Sequence, residues 1–252
     1  MSLSLHQTKG FTLLELSIVI VIIGLIVAGI SAGQSLVRQA QIRGLSSEVS
    51  QMEVAFNAFR LQYDAIPGDM NNAADYWGGA DCPDSIAPTG CNGNGDKQIF
   101  FVSVDGNDEI WRSWQHLGFS GIIEGSYLGT EVGGGTYAVI GTNVPETSIA
   151  GVKIVARYDE IVDGVDSPNS PINGNGFVIG SNNPATVNAF TAGNFLTVAE
   201  AAAIDTKVDD GTVNFGKWLP NGNSCVTGTS PNSTFQLSQE GIRCFFQYDL
   251  GM

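Results

Sequence analysis

From Phe11 to Val37 the chain carries one ionisable side chain, Glu15. The stretch opens FTLLELSIVIVIIGLIVAGISAG and supplies the roughly 20 apolar residues that a helix needs to cross a bilayer. Ten mostly polar residues, MSLSLHQTKG, precede it and end in Lys9-Gly10. A secretory signal peptide has a charged start, a shorter apolar stretch and a small-residue cleavage site, which would place a cut near Ser31 or Ala32. A plain transmembrane anchor fits the length. Neither accounts for Glu15, because a carboxylate near the hydrocarbon core is expensive to insert and marks a function. The positive end of a helix dipole offsets only part of that expense. Positive-inside counting sets Lys9 against Arg38 and Arg43 and assigns no orientation. Small residues recur every four positions, Gly24, Ala28 and Ala32 on one row and Gly29 and Gly33 on another, a spacing that allows close helix approach.

The helical pattern outlasts the apolar stretch. Ile42, Leu45, Val49, Met52, Phe56, Phe59 and Tyr63 alternate spacings of three and four, which places them on one helix face. Pro67-Gly68 stops the pattern. A helix from Phe11 to Tyr63 would run roughly 80 Å at about 1.5 Å per residue. Its first half is apolar all round, and its second half offers one apolar face for the rest of the chain. A coiled-coil dimer is the alternative use of that face.

Charge divides the chain at the same place. Residues 11–63 sum to zero, whereas residues 64–252 hold 22 acidic against 7 basic side chains, so that part carries -15 and Lys9 brings the whole chain to -14. An acidic body excludes a nucleic-acid grip, which needs a basic stripe. Two histidines in the whole chain leave little for histidine-based catalysis. Glycine-rich clusters such as Gly90–Gly95 and Ser167–Gly176 read as loops between short strands. The apolar runs predict strands at Ile99–Val104, Tyr137–Gly141, Val152–Tyr158, Phe177–Gly180, Phe235–Ser238 and Arg243–Asp249. A helix is expected over Glu109–Leu117, with Ile110, Trp111, Trp114 and Leu117 on one face. Another is expected over Val198–Lys207, opened by the capping box Thr197-Val198-Ala199-Glu200 and ended by Asp209-Asp210-Gly211. A long helix followed by a sheet gives the α+β class.

A short polar leader ending in glycine, then Phe11-Thr12-Leu13-Leu14-Glu15, then the apolar run resembles the leader and N-terminal helix of type IV prepilins. The stretches DAIPGDMNNAADYWG and WQHLGFSGIIEGSYLG are similar to larger bacterial pilin-like proteins. The resemblance implies a structural subunit, major or minor, of a type IV pilus-like filament. A pseudopilin of a type II secretion or DNA-uptake system is the alternative, and a membrane-anchored adhesin or carbohydrate-binding protein is another. It implies a leader at 1–10, a long helix at 11–63 with its transmembrane part at 11–33, and an acidic α+β head at 64–252. The helix would pack on an antiparallel sheet with long loops. Prepilin peptidase would cut between Gly10 and Phe11 and methylate the new amino terminus at Phe11, and Glu15 would meet the free amino terminus of a neighbouring subunit during assembly. The implied partners are other pilin subunits, the peptidase, the inner membrane and its assembly platform, with no nucleic acid at the head. The implied location is the inner membrane with the head in the periplasm, then a pilus or pseudopilus at the cell surface. Ala32 stands where many members carry a proline that loosens the helix in filaments, which leaves Gly24, Gly29 and Gly33 for that role.

Four cysteines allow three pairings. Loop closure favours the local ones, Cys82 with Cys91 and Cys225 with Cys244, and the second resembles the disulfide-closed C-terminal loop of many pilins. Four reduced thiols are the alternative, and they conflict with export. Without a C-x-x-C spacing, zinc and thioredoxin-like redox chemistry are weakly supported. Asn92, Asn94, Asp96 and Gln98 place oxygens at positions 1, 3, 5 and 7 of a calcium loop. Lys97 replaces the usual glycine and Ser103 the usual glutamate of such a loop, and polar-turn chemistry explains the same string. No other cofactor is implied. Gly29-Ile30-Ser31-Ala32-Gly33 spells a nucleophile elbow, but no strand precedes it. Gly133–Ala138 matches a loose dinucleotide pattern and is read as a turn. His116 reads as a structural or surface histidine, and Asp209-Asp210 as a turn without a nearby base. The sequence supports no enzyme.

Overall fold

A computed structural model describes residues 12–80, 82, 90–102, 107–130, 132, 138–159, 174–181, 193–222, 224–228 and 232–252. In chain order the elements are α1 (Leu13–Tyr63), α2 (Ala73–Trp77), β1 (Phe101–Val102), β2 (Asn107–Asp108), α3 (Glu109–Phe119), β3 (Val152–Asp159), β4 (Gly174–Ser181), β5 (Leu196–Thr197), α4 (Val198–Val208), β6 (Trp218–Asn221) and β7 (Ile242–Asp249). The chain divides into two units, Met1–Arg43 and Gly44–Met252. In the first unit every described side chain up to Val37 is exposed although nearly all are apolar. Many are β-branched and of modest helix propensity, but a helix is the one single-segment structure that satisfies its backbone in lipid.

The second unit is built on an antiparallel sheet. β3 pairs with β4 along all eight residues, and β4 pairs with β7 over Gly176–Ile179. β7 is the central strand. It pairs in addition with β6, from Trp218 opposite Tyr248 to Asn221 opposite Phe245, and with β5 at Cys244 and Ile242. The registers bring Phe177, Tyr248 and Trp218 side by side across β4, β7 and β6. Phe177 stacks on Tyr248 with centroids 6.1 Å apart, and Trp218 meets Tyr248 edge-on at 5.3 Å. Such cross-strand aromatic pairs stabilise a sheet beyond the area they bury.

The C-terminal part of α1 sits on this row. Leu45, Val49, Phe56 and Phe59, at the predicted spacing, are buried. Phe56 meets Phe177 edge-on at 5.1 Å and Trp114 of α3 at 5.8 Å. Glu53 accepts the Tyr248 hydroxyl at 2.6 Å and pairs with Lys217. One turn earlier, both Glu48 oxygens accept the Ser148 N–H at 3.0 Å. The helix ends at Tyr63, where Asp64 adopts a left-handed φ of 52°. Gly68 then turns at φ 97°, and a Cβ there would lie 2.4 Å from the Glu109 carbonyl oxygen, so the turn admits glycine.

Three expectations are corrected. Ala138–Gly141, the described part of Tyr137–Gly141, is a turn and not a strand. Ile140 makes a single bridge to Val144, and Gly141 N–H bonds back to the Val144 carbonyl at 2.8 Å. Phe235–Ser238 likewise makes one bridge, Phe235 with Val226, before a Gln236–Gln239 turn takes its backbone bonds. Both runs are apolar, but a tight turn uses up the groups that a ladder would need. Finally, α3 is buried from Glu109 to Leu117 on all sides and not on one face. Of the predicted strand Ile99–Val104, Phe101–Val102 is β1 and residues 103–104 lie outside the described ones.

Phe56 joins α1 to both the sheet and α3. Phe56→Ala is expected to lower unfolding stability by about 3–5 kcal/mol, whereas Leu61→Ala, at a side chain 90% exposed, changes it by less than about 0.5 kcal/mol. Chemical denaturation of the two variants measures the difference.

Candidate functional site

Gly10 and Phe11, the expected cleavage and methylation positions, lie outside the described residues. Glu15 lies in the first turn of α1 and is exposed. Its Oε2 accepts the Thr12 backbone N–H at 2.8 Å and the Thr12 hydroxyl at 2.9 Å, while the Glu15 N–H donates to Thr12 Oγ1 at 3.2 Å. This reciprocal arrangement is a capping box, and it satisfies two of the donors that a helix start leaves without partners. The Thr12-x-x-Glu15 spacing is itself the sequence signature of this cap. Glu15 Oε1 accepts no hydrogen bond among the described residues, so one oxygen closes the helix start and the other faces outward. Further along the same apolar helix, Gly24, Gly29 and Gly33 have open space around their α-carbons. The arrangement can receive a cation, and it can do so without giving up the cap.

In the head, the proposed calcium string wraps two buried carboxylates. Asp69 Oδ1 accepts the N–H groups of Gly95 and Asp96 at 2.6 and 3.0 Å, and its Oδ2 accepts that of Lys97 at 2.8 Å. Glu109 accepts the N–H groups of Asn94 and Phe100, both at 3.0 Å. Successive backbone donors around an anion form a nest. Meanwhile Asn92 Oδ1 accepts the Ala74 N–H, Asn94 Oδ1 that of Asp96, and Asp96 Oδ1 that of Gln98. A cation bound by Asn92, Asn94, Asp96 and Gln98 would have to exchange these bonds. Asp96 lies instead with Asp69 and Glu109, one oxygen of each within 4.8 Å of the others. Burial pushes Asp69 up to about 6 and Glu109 up to about 7, against the pull of the backbone donors and helped by the neighbouring carboxylates. Asp69 is not legible in the sequence because its partners are backbone groups remote in the chain.

His116 is buried between Phe59, stacked at 6.1 Å, and Trp77 at 5.6 Å. Its Nδ1 accepts the Gly68 N–H at 2.9 Å, which fixes the proton on Nε2, and Nε2 donates to the Cys91 carbonyl at 2.8 Å. Both ring nitrogens are consumed, so the imidazole is a structural strut. Cys91 is bonded to Cys82 and Cys225 to Cys244, with Cα separations of 4.8 and 5.2 Å. The first disulfide therefore ties the Gly90–Gly95 loop at the point where His116 holds it. The second ties β7 to the chain just after β6.

Residues 5–31 match the prokaryotic N-terminal methylation motif. No curated protein and no solved structure matches the chain. The motif supports assignment to the pilins and pseudopilins, and the long N-terminal helix packed on an open antiparallel sheet with long loops is a pilin-like α+β fold. Motif and fold together support a structural, membrane-anchored filament subunit, a kind of protein that is not catalytic.

Burial lowers the His116 pKa to about 4, with the Arg112 charge acting in the same direction against the Cys91 carbonyl. A depressed folded value means that the His116 contribution to stability is complete above about pH 6.5 and is lost as pH falls towards 4. Asp69 and Glu109 act with the opposite sign, so the ring itself is the clean reporter. NMR of ring-labelled protein is expected to show the neutral Nε2–H tautomer of His116 down to pH 5, and a titration midpoint near 6.5 would refute the buried strut.

Proposed function

We propose that this chain belongs with the pilins and pseudopilins and is a structural subunit, major or minor, of a type IV pilus-like filament. Prepilin peptidase cuts it between Gly10 and Phe11 and methylates Phe11. Residues 11–33 hold it in the inner membrane with the acidic head in the periplasm. The assembly platform then moves it into a filament through its N-terminal helix, and the head reaches the cell surface. Domain limits at residues 10, 33 and 63 belong to the same reading. The observation that carries it is the methylation motif at residues 5–31, with its single carboxylate in an otherwise apolar helix.

The chemistry of assembly follows from Glu15. In a filament core the exposed apolar side chains of α1 exchange lipid for one another, which leaves little hydrophobic preference between the two states. Direction must then come from a polar contact. The amino terminus created by cleavage supplies a positive charge, and Glu15 Oε1 has no other partner among the described residues. Opposite charges brought together in a low-dielectric surround neutralise each other, and removing either leaves a buried charge. The acidic heads face water, where like charge keeps neighbouring filaments apart.

Glu15→Gln separates charge from capping, since the amide oxygen still accepts the Thr12 donors. The expected outcome is loss of filaments in both Glu15→Gln and Glu15→Ala, with unchanged cleavage. Electron microscopy and shear-fraction blots read the first, and mass spectrometry of the mature N-terminus, methylated Phe11, reads the second. Wild-type filaments in Glu15→Gln would leave Glu15 with the cap alone. A head still displayed at the surface by Glu15→Ala would make the helix a simple tether.

A further inference from the structure

Asp205 lies in the last turn of α4 and is fully buried, and neither of its carboxylate oxygens has a hydrogen-bond partner among the described residues. A buried carboxylate without partners is strongly unfavourable, and native chains rarely keep one without a reason. Asp209, half-buried, and Asp210, exposed, follow on the turn, and one oxygen from each of the three carboxylates lies within 4.8 Å of the others. Asp209 Oδ2 accepts the Trp218 N–H at 2.6 Å, and Asp210 Oδ1 accepts the Thr212 N–H at 2.7 Å. The other oxygen of each carries no bond among the described residues. None of the three makes an ion pair there either, since the nearby Lys217 is engaged with Glu53.

Everything at this point has the same sign. The three acids gather at the negative end of the α4 dipole, where cations are favoured and anions are not. Burial, and then the Asp209 and Asp210 charges, push the Asp205 carboxyl up to about 7. The turn nevertheless closes tightly around the group. Gly216 has φ 77°, and a Cβ there would lie 2.2 Å from Asp209 Oδ2. The chain thus holds Asp209 against its neighbours where repulsion would part them.

We propose that Asp205, Asp209 and Asp210 form a calcium site at the C-terminal end of α4. The donors are all hard oxygens, several of them unbonded, which suits calcium with its six to eight oxygen ligands and tolerant geometry. Magnesium demands a near-octahedral shell and suits this irregular set less well. The ion supplies Asp205 with its missing partner and cancels most of the local charge. Through Asp209 and the Trp218 N–H it also clamps the end of α4 to β6, and so to the central strand β7. The site stands on the head alone, whether or not the chain forms filaments.

The test uses the full-length protein in detergent micelles, stripped with EDTA and then melted with and without calcium at about 10 mM, ten or more times the dissociation constant of extracellular calcium modules. Calcium is expected to raise Tm by about 5 °C, and isothermal titration is expected to count one ion per chain. Asp205→Asn should abolish the rise. Asp210→Asn, at an exposed side chain, should weaken calcium binding about tenfold or more. Asp96→Asn should keep the full rise. No calcium response in the parent would overturn the site, as would a response that survives Asp205→Asn and Asp210→Asn. A response lost in Asp96→Asn alone would move the ion to the 92–98 loop and overturn it equally.

Discussion

The edge-on contact of Phe56 with Phe177 organises the head. Phe177 lies in the middle of β4, directly opposite Tyr248 of the central strand β7, and Trp218 extends the row onto β6. Phe56 comes down on that row from α1 and touches Trp114 of α3 in the same place. One ring therefore fixes three relationships: helix to sheet, helix to helix, and the register of the strands beneath. Glu53, one helical turn before Phe56, adds direction by accepting the Tyr248 hydroxyl and pairing with Lys217. Half-exposed Lys217 contributes little as a surface ion pair. Its use is to hold Glu53 over Tyr248, so that the helix cannot rotate without leaving an acid over apolar rings.

Away from this contact the described loops of the head need another source of order. That source is buried polar side chains that serve as partners for backbone. Asp69 and Glu109 gather the N–H groups of the 94–100 stretch, and His116 joins Gly68 to Cys91. Asn175 performs the same service, accepting the Ile99 N–H and donating to the Lys97 carbonyl. These bonds link positions 9 to 78 residues apart, and the glycines allow the backbone to come close enough. Asp205 breaks the pattern, being as buried as Glu109 and yet without donors. The contrast with Asp69 and Glu109, both answered by backbone donors, is what gives Asp205 its meaning.

What the sequence revealed follows the range of the interactions. The α1 stripe, the α4 capping box and strands β3, β4 and β7 are local patterns of period or spacing, and they stand where the residues placed them. β6 was invisible because four residues with Pro220 among them carry no strand signal, and its place is set by pairing with β7. The strands expected at Tyr137–Gly141 and Phe235–Ser238 failed for the converse reason: apolar runs were folded into turns by contacts no local window contains. α3 looked amphipathic because Arg112, Gln115 and His116 are polar, yet all three are buried, His116 with the Gly68 N–H and the Cys91 carbonyl as partners. Asp69 and Asp205 were unreadable as sites, since what distinguishes them is what surrounds them and not what adjoins them.

Glu15 shows how a local pattern and a long-range one share a side chain. A carboxylate among apolar residues has to survive in the bilayer before any partner arrives. The capping box supplies that interim partner: Thr12 offers its N–H and hydroxyl to Oε2, and the dipole of the helix start adds to their effect. The cap depends on a residue three positions away, so it forms with the helix and asks nothing of the rest of the chain. It leaves Oε1 outward and the formal charge intact. Under the filament reading proposed above, a partner amino group would meet a fixed, pre-oriented target at no further loss of side-chain freedom. The threonine and the glutamate act together, the first making the charge tolerable and the second making it useful.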